Sequence, residues 1–270
     1  MLKDITIGQY FPGKSSIHKL DPRTKLVLLL FYIVAIFICK SFLSLGVCAV
    51  ALVAFMLLSG VPVKMYLKSI KAILPIILVT TLLNVFYISG GTVLFEWKFI
   101  QISTKGLFSA LFIAIRIVSL IMSSSVLTYT TTPTMLTDGI ERLLSPLNAL
   151  HVPVSSLAMM MTLALRFIPT LIEEIERISN AQKARGADID SGNFVERVKA
   201  LVPILVPLFI SAFRRADELS FAMECRCYTG GKGRTRMKKM KFTLKDLLAA
   251  LVVLCVFAST IILNRFWAVL

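Results

Sequence analysis

The chain alternates long apolar runs with polar segments, and the run lengths predict helices that cross a lipid bilayer. A spanning helix needs about 20 mainly apolar residues. The pattern predicts five spans, at 26–39, 41–63, about 72–89, about 106–129 and about 247–264. A single helix over 26–63 would be about 57 Å long, nearly twice the hydrocarbon thickness, so the first two runs are predicted to form a hairpin with Lys40 at its outer turn. The alternating stretch 92–106 predicts a short strand pair or an interfacial loop.

The composition agrees with a membrane protein. The chain has 270 residues, of which 57% are hydrophobic, and its mean hydropathy is +0.81. Soluble domains are about 45–50% apolar. The net charge is +15, but the basic residues flank the apolar runs, so the positive-inside rule accounts for them and no nucleic-acid partner is predicted. The polar start of the chain predicts no secretory signal.

The basic residues also predict the orientation of the chain. Most of them lie before the first run, between the second and third runs, and in the segment 131–242. The opposite side of the predicted bundle holds only four, namely Lys40, Lys98, Lys105 and Arg265. Because basic residues favour the cytoplasmic side, the N-terminus is predicted to be cytoplasmic and the C-terminus outside.

The polar segment 131–242 is predicted to form three amphipathic helices at or under the inner leaflet. Their ranges are about 134–149, 154–184 and 193–227. Residues 154–172 and 200–213 are apolar enough to cross the membrane instead, but the second run has only 14 residues and contains Pro203 and Pro207. We therefore expect an all-α membrane protein with about five transmembrane helices and a cytoplasmic module of about three. The predicted parts are 1–130, 131–242 and 243–270.

Two arginines in small-residue settings are the main candidates for function. Each follows a helical pattern that starts apolar and ends polar, and the motifs are Ala184-Arg185-Gly186 and Cys225-Arg226-Cys227. A basic side chain at a helix C-terminus can simply complement the helix dipole. A matched pair indicates more, because small neighbours allow a partner to approach closely and the guanidinium binds acidic groups or carbonyls.

Residues 8–15 (GQYFPGKS) match the phosphate-loop pattern, but their context does not support that function. Such a loop directs backbone N–H groups at phosphate between a strand and a helix. No apolar strand precedes the match, and Pro12 removes one N–H group. A membrane ATPase that uses Gly13, Lys14 and Ser15 is kept as a hypothesis that ATP binding would test.

Other candidate groups have structural as well as functional interpretations. Arg116 lies inside the fourth span, where a charge marks either a transport pathway or a pairing with a carbonyl or hydroxyl group. Met159, Met160 and Met161 form a soft apolar face that suits either a core or an adaptable surface. The basic run 232–241 is predicted to bind anionic lipid headgroups.

The five cysteines predict no metal site. Cys225 and Cys227 would need two further ligands, and they are interpreted as small, reduced side chains beside Arg226. The cysteines of the apolar runs, Cys39, Cys48 and Cys255, are expected to pack as small hydrophobic residues.

Three stretches together resemble the transmembrane T component of energy-coupling factor transporters, the EcfT or CbiQ-like family of prokaryotic vitamin and metal-ion importers. They are GQYFPGKSSIHKLDPRTKL, the long segment from TTPTMLTDGIERLL to NAQKARGAD, and FAMECRCYTGG. The resemblance implies a non-catalytic scaffold in the cell membrane that joins two cytosolic ABC-type ATPases to a small substrate-binding membrane subunit.

The resemblance also implies roles for individual residues. The two X-Arg-X motifs would end coupling helices and dock on the ATPases, and ATP and Mg²⁺ would bind the partners, with no cofactor in this chain. The second motif departs from the Ala-Arg-Gly pattern because Cys flanks its arginine, and a positive φ at Cys227 would be harder to reach without glycine. The alternative is a stand-alone permease or channel with Arg116 on its pathway.

Overall fold

The computed structural model describes residues 9–87, 93–97, 100–187, 193–230 and 242–266. Within these ranges the chain forms eight α-helices, one short 3₁₀ helix and one two-stranded sheet. The helices are α1 Pro22–Ile38, α2 Phe42–Ser59, α3 Val63–Tyr87, α4 Thr104–Thr130, α5 Pro133–Leu144, α6 Val154–Ala184, α7 Phe194–Glu224 and α8 Leu244–Phe266. The predicted all-α class is therefore confirmed.

The predicted hairpin of the first two apolar runs is present. The side chain of Asp21 accepts from the Arg23 N–H at 3.0 Å and caps α1, whose first residue is Pro22. A proline at this position costs no hydrogen bond, because the first N–H groups of a helix have no partner within it. Ser41 and Ser44 form a capping box at the start of α2. The turn between α1 and α2 contains Lys40, as the sequence predicts.

The alternating stretch after α3 forms a strand pair rather than a loop. Strand β1 (Val93–Trp97) pairs antiparallel with β2 (Ile100–Ser103), and α4 begins directly after β2. Ser103 caps this helix, since its side chain accepts from the Gly106 N–H at 3.0 Å. Residues 88–92, where the third predicted span ends, lie outside the described residues, as does Lys98.

Five of the described helices are long and apolar enough to cross a membrane, namely α2, α3, α4, α6 and α8. The predicted number is confirmed, but its members differ from the prediction. The helix α1 corresponds to the first predicted span, but its 17 residues make it too short to be one of the five. The helix α6, which was not predicted to cross, is one of the five because its first half is apolar. Its second half carries Glu173, Glu174 and Arg177, which is the polarity that led the sequence analysis to place 154–184 in the cytoplasm.

One compact unit comprises Gly8–Gly139 and Met240–Leu270. Its described helices α1, α2, α3, α4 and α8 pack around a core that includes Ile36, Cys48, Tyr66 and Phe112. Many large apolar side chains on the outside of these helices are exposed, including Leu57 at 73%. An apolar outer surface of this extent is suited to lipid. The chain is therefore a multi-pass membrane protein.

The second compact unit comprises Ile140–Lys239 together with Met1–Ile7, of which the N-terminal piece lies outside the described residues. It contains the 3₁₀ helix Ser145–Leu150 and the two 31-residue helices α6 and α7. The predicted range 154–184 coincides with α6, and the predicted range 193–227 exceeds α7 by a few residues. The division at 130 and 242 stays a prediction.

Candidate functional site

The first arginine motif closes α6 with a Schellman turn. The N–H of Ala187 donates to the Gln182 carbonyl at 3.0 Å, and the N–H of Gly186 donates to the Lys183 carbonyl at 3.0 Å. Gly186 has a φ of 86°, a left-handed conformation that costs glycine little. Arg185 is thus the last residue before the chain reverses.

The second motif closes α7 with the same pair of bonds. The N–H of Tyr228 donates to the Met223 carbonyl at 3.1 Å, and the N–H of Cys227 donates to the Glu224 carbonyl at 2.8 Å. Cys227 has a φ of 55° and occupies the position that Gly186 has in the first motif. Arg226 therefore occupies the same place in its turn as Arg185 does in the first.

The equivalence of the two turns has an energetic consequence. A residue other than glycine in the left-handed region costs about 1–2 kcal/mol, because its Cβ crowds the following carbonyl. Cys227 carries this cost and Gly186 does not. A positive φ at Cys227 was predicted to be hard to reach without glycine, and the chain adopts it there all the same.

Neither motif is covered by the rest of the described chain. All six residues, Ala184, Arg185, Gly186, Cys225, Arg226 and Cys227, are exposed. Within the described ranges neither arginine makes an ion pair or a side-chain hydrogen bond. Each guanidinium is therefore available for a partner, and removing it takes no described contact from the chain.

Three contacts show that α6 and α7 run antiparallel. Tyr228 donates through its hydroxyl to the Met159 sulfur at 3.0 Å, and Arg215 forms an ion pair with Glu174 at 3.1 Å. Toward the other end, the Gln182 side chain donates to the Pro203 carbonyl at 3.4 Å. The two motifs therefore lie at opposite ends of the helix pair.

The separation of the motifs follows from helix geometry. Arg226 lies two residues before Tyr228, which contacts Met159 near the start of α6. From Met159 to Arg185 the helix is about 39 Å long at a rise of 1.5 Å per residue. One folded domain cannot easily contact both ends with a single small surface, so the geometry suits two separate docking surfaces.

The structure does not give the phosphate-loop match the form of a nucleotide site. Gly8 lies outside the described residues, and no strand precedes the rest of the loop within the described chain. The His18 ring bonds both to the Ser15 hydroxyl at 2.7 Å and to the Phe11 carbonyl at 2.9 Å. A Cβ on Gly13 would lie 2.7 Å from a His18 carbon, so this glycine admits the ring rather than a phosphate.

Arg116 pairs with a carbonyl group, which was one of its two predicted interpretations. Its guanidinium donates to the Cys39 carbonyl at 2.5 Å and lies 4.7 Å from the centre of the Phe112 ring. That carbonyl follows the end of α1 and has lost its helical donor. Asn264 of α8 donates to the neighbouring Ile38 carbonyl at 2.7 Å, so side chains from two helices hold the α1–α2 turn.

The remaining candidates have separate surroundings. Cys39 and Cys48 are buried with their sulfur atoms 3.8 Å apart, and Cys255 is exposed on the apolar helix α8. A small thiol in that position suits lipid as well as a core. Met160 and Met161 are exposed, and the basic run 232–241 lies outside the described residues. Among the residues described, no group of three His, Cys, Asp or Glu side chains could hold a metal ion.

A buried polar network that the sequence did not predict lies at the start of α8. The Asp246 carboxylate, 3% exposed, accepts from the Asp21 N–H at 2.8 Å and from the N–H and hydroxyl of Thr243, each at 2.7 Å. Lys25 donates to the Thr130 carbonyl at 2.9 Å. The pattern Thr-x-x-Asp before an apolar run is a capping signal, but nothing local to it reveals the bond to Asp21.

Comparisons with known proteins agree with this architecture. The family model described as CbiQ, cobalt transport protein, matches residues 13–237. An energy-coupling factor transporter transmembrane protein EcfT from Clostridium kluyveri is 53% identical over 268 residues, covering 99% of each chain. Proteins of the same name from Ruminiclostridium cellulolyticum and Bacillus subtilis are 49% and 44% identical, covering 98% and 94% of this chain and 99% and 97% of their own. The chain therefore belongs to the CbiQ family, and these relatives are transmembrane components of energy-coupling factor transporters.

Proposed function

We propose that this chain is the non-catalytic coupling scaffold of an ATP-driven importer for a vitamin or a metal ion. In this proposal Arg185 and Arg226 each dock in a groove of one of two cytosolic ABC-type ATPases. ATP and Mg²⁺ bind those partners and not this chain. A small substrate-binding membrane subunit completes the complex and receives the movement of α6 and α7.

The observation that carries the proposal is the pair of matched helix ends. Each places an exposed arginine between small groups at the reversal of the chain, and the two bonds that define the Schellman turn are present at both ends. A planar guanidinium can enter a groove and bind carboxylates or carbonyls there. Two such groups at opposite ends of one helix pair fit a pair of similar ATPases, one at each end.

The permease alternative is not favoured. The Arg116 guanidinium donates to the Cys39 carbonyl and lies over the Phe112 ring of its own helix, so both of these contacts are made within the protein, although its buried Nε has no hydrogen-bond partner in the described chain. The names of the relatives describe components of a multi-part transporter.

Arginine substitution tests the docking. The chain would be expressed with its ATPases and its substrate-binding subunit as wild type, Arg185→Ala, Arg226→Ala and the double variant. Truncating a central arginine of an interface costs about 2 kcal/mol or more, or about thirtyfold in affinity. We expect each single variant to insert in the membrane but retain less ATPase on purification, and the double variant to lose uptake.

Arg214→Ala is the matched control, because Arg214 is another exposed arginine of α7 that lies outside both motifs. It should retain ATPase as the wild type does. Normal uptake by the double variant would refute the docking role. An equal loss in Arg214→Ala would show that general charge, and not the motif, holds the ATPases.

The orientation has its own test, which uses the native thiols. If the N-terminus is cytoplasmic and the C-terminus outside, Cys225 and Cys227 face the cytoplasm. A membrane-impermeant thiol reagent should label them in inside-out vesicles but not in intact cells, in a Cys255→Ser background. Labelling in intact cells would place the second motif outside and end the proposal.

A further inference from the structure

The two arginine motifs share their geometry but differ in chemistry. Ala184 and Gly186 flank Arg185 with groups that do not react, whereas Cys225 and Cys227 flank Arg226 with two thiols. Both helix ends have the pair of backbone bonds that defines the Schellman turn, so the thiols are not needed to form it. Only the motif at the end of α7 can therefore be modified at sulfur.

Neither thiol of the second motif is covered by the described chain. Cys225 has helical angles, with a φ of −58°, and Cys227 has a φ of 55° on the other side of Arg226. Both are exposed, whereas Cys39 and Cys48 are buried in the bundle and Cys255 lies on the apolar helix α8. Access is a first requirement for thiol–disulfide exchange, and within the described chain these two cysteines meet it outside the apolar helices.

We propose that Cys225 and Cys227 are a site of reversible mixed-disulfide formation that switches off docking at Arg226 and leaves docking at Arg185 intact. The proposal rests on the proposed function and names a regulation of the same site. The co-reactant is a low-molecular-weight disulfide. A cysteine thiolate attacks one of its sulfur atoms, a new S–S bond forms as the old one breaks, and the other half leaves as a thiolate. The cysteine proton goes to water.

The modification acts through size and charge. In the first motif, the neighbours of Arg185 are the methyl group of Ala184 and Gly186, which has no side chain. A glutathione-sized adduct adds a peptide and net negative charge beside Arg226. The adduct both fills the space that a groove wall would take and provides the guanidinium with a local anion. A cellular disulfide pool would thus weaken one of the two ATPase contacts.

The test compares ATPase binding before and after oxidation. The full-length chain in detergent micelles would be treated with oxidised glutathione, its adducts located by peptide mass spectrometry, and its affinity for the two ATPases measured. We expect adducts at Cys225 or Cys227. The affinity of the chain for the ATPases should fall about tenfold or more, because a bulky, negatively charged group would lie beside Arg226 in a packed interface. Reduction with dithiothreitol should restore the affinity.

Two variants identify the responsible thiols. Cys225→Ala/Cys227→Gly turns the second motif into a copy of the first, and its affinity should be the same in the oxidised and reduced forms. Cys255→Ser should lose affinity on oxidation as the wild type does. Prior binding of the ATPases should protect Cys225 and Cys227 from the reagent, and buried Cys39 and Cys48 should carry no adduct in either case.

The outcomes separate this proposal from the proposed function. If the reduced wild type binds no ATPase, the proposed function itself fails. If it binds, and the fully modified chain binds equally well, only the redox switch fails. An equal loss in Cys225→Ala/Cys227→Gly would place the effect at another residue and overturn the proposal.

Discussion

Substitution of Asp246 by alanine tests the buried hydrogen bonds that connect the start of α8 to the start of α1. The carboxylate accepts three hydrogen bonds, one from the backbone of Asp21 and two from Thr243, and all are between 2.7 and 2.8 Å long. Asp246 and Asp21 are 3% and 5% exposed. The bond to Asp21 joins the start of α1 to the start of α8 across 225 residues of chain.

The size of the effect follows from these contacts. A hydrogen bond to a charged group contributes about 1.5–3 kcal/mol, and a buried N–H left without an acceptor costs about 1–3 kcal/mol. The alanine variant leaves the Asp21 N–H, the Thr243 N–H and the Thr243 hydroxyl without this acceptor. Since the two Thr243 groups can reach water as the helix end frays, we expect a loss of about 3–5 kcal/mol in the free energy of unfolding.

The assay is thermal inactivation of the detergent-solubilised chain, followed by the fraction that remains monodisperse after heating. About 3–5 kcal/mol corresponds to a fall of roughly 6–20 °C in the apparent midpoint for a chain of this size. Thr243→Val removes only the hydroxyl bond and should show a clearly smaller fall. Asp217→Ala, an exposed aspartate of α7, should leave the midpoint unchanged. An Asp246→Ala midpoint within about 2 °C of wild type would refute the reasoning.

Three further predictions concern single side chains and use the same thermal assay. Arg116→Met leaves the Cys39 carbonyl without its donor and should cost about 1–3 kcal/mol, and an unchanged midpoint would show that water replaces the guanidinium. Gly186→Ala should destabilise its helix end by about 1 kcal/mol and Cys227→Gly should stabilise its own by a similar amount, because each changes a residue at positive φ. Effects of the same sign would contradict the matched turns. Gly13→Ala should displace the His18 ring and lower stability without changing nucleotide binding, and ATP binding by the purified wild type that Gly13→Ala abolishes would contradict this.

The sequence by itself determined the elements and the candidate residues, because the signals for them are local. An apolar run of the length of α8, a proline at the start of α1 and the polar second half of α6 all lie within a few turns of chain. The range 154–184 was predictable to the residue for this reason. The two arginine motifs were visible because each stands where an amphipathic pattern ends.

Tertiary structure decided what those residues contact, since that depends on which distant segments meet. Nothing near Arg116 in the sequence indicates that its partner is a carbonyl 77 residues earlier in the chain. That carbonyl lies at the end of α1, where no helical N–H group is left to bond to it. The opposite placement of Arg185 and Arg226 depends on α6 and α7 packing antiparallel, which three side-chain contacts establish. The left-handed Cys227 likewise follows from two backbone bonds that close α7, because they outweigh a residue preference that favours glycine.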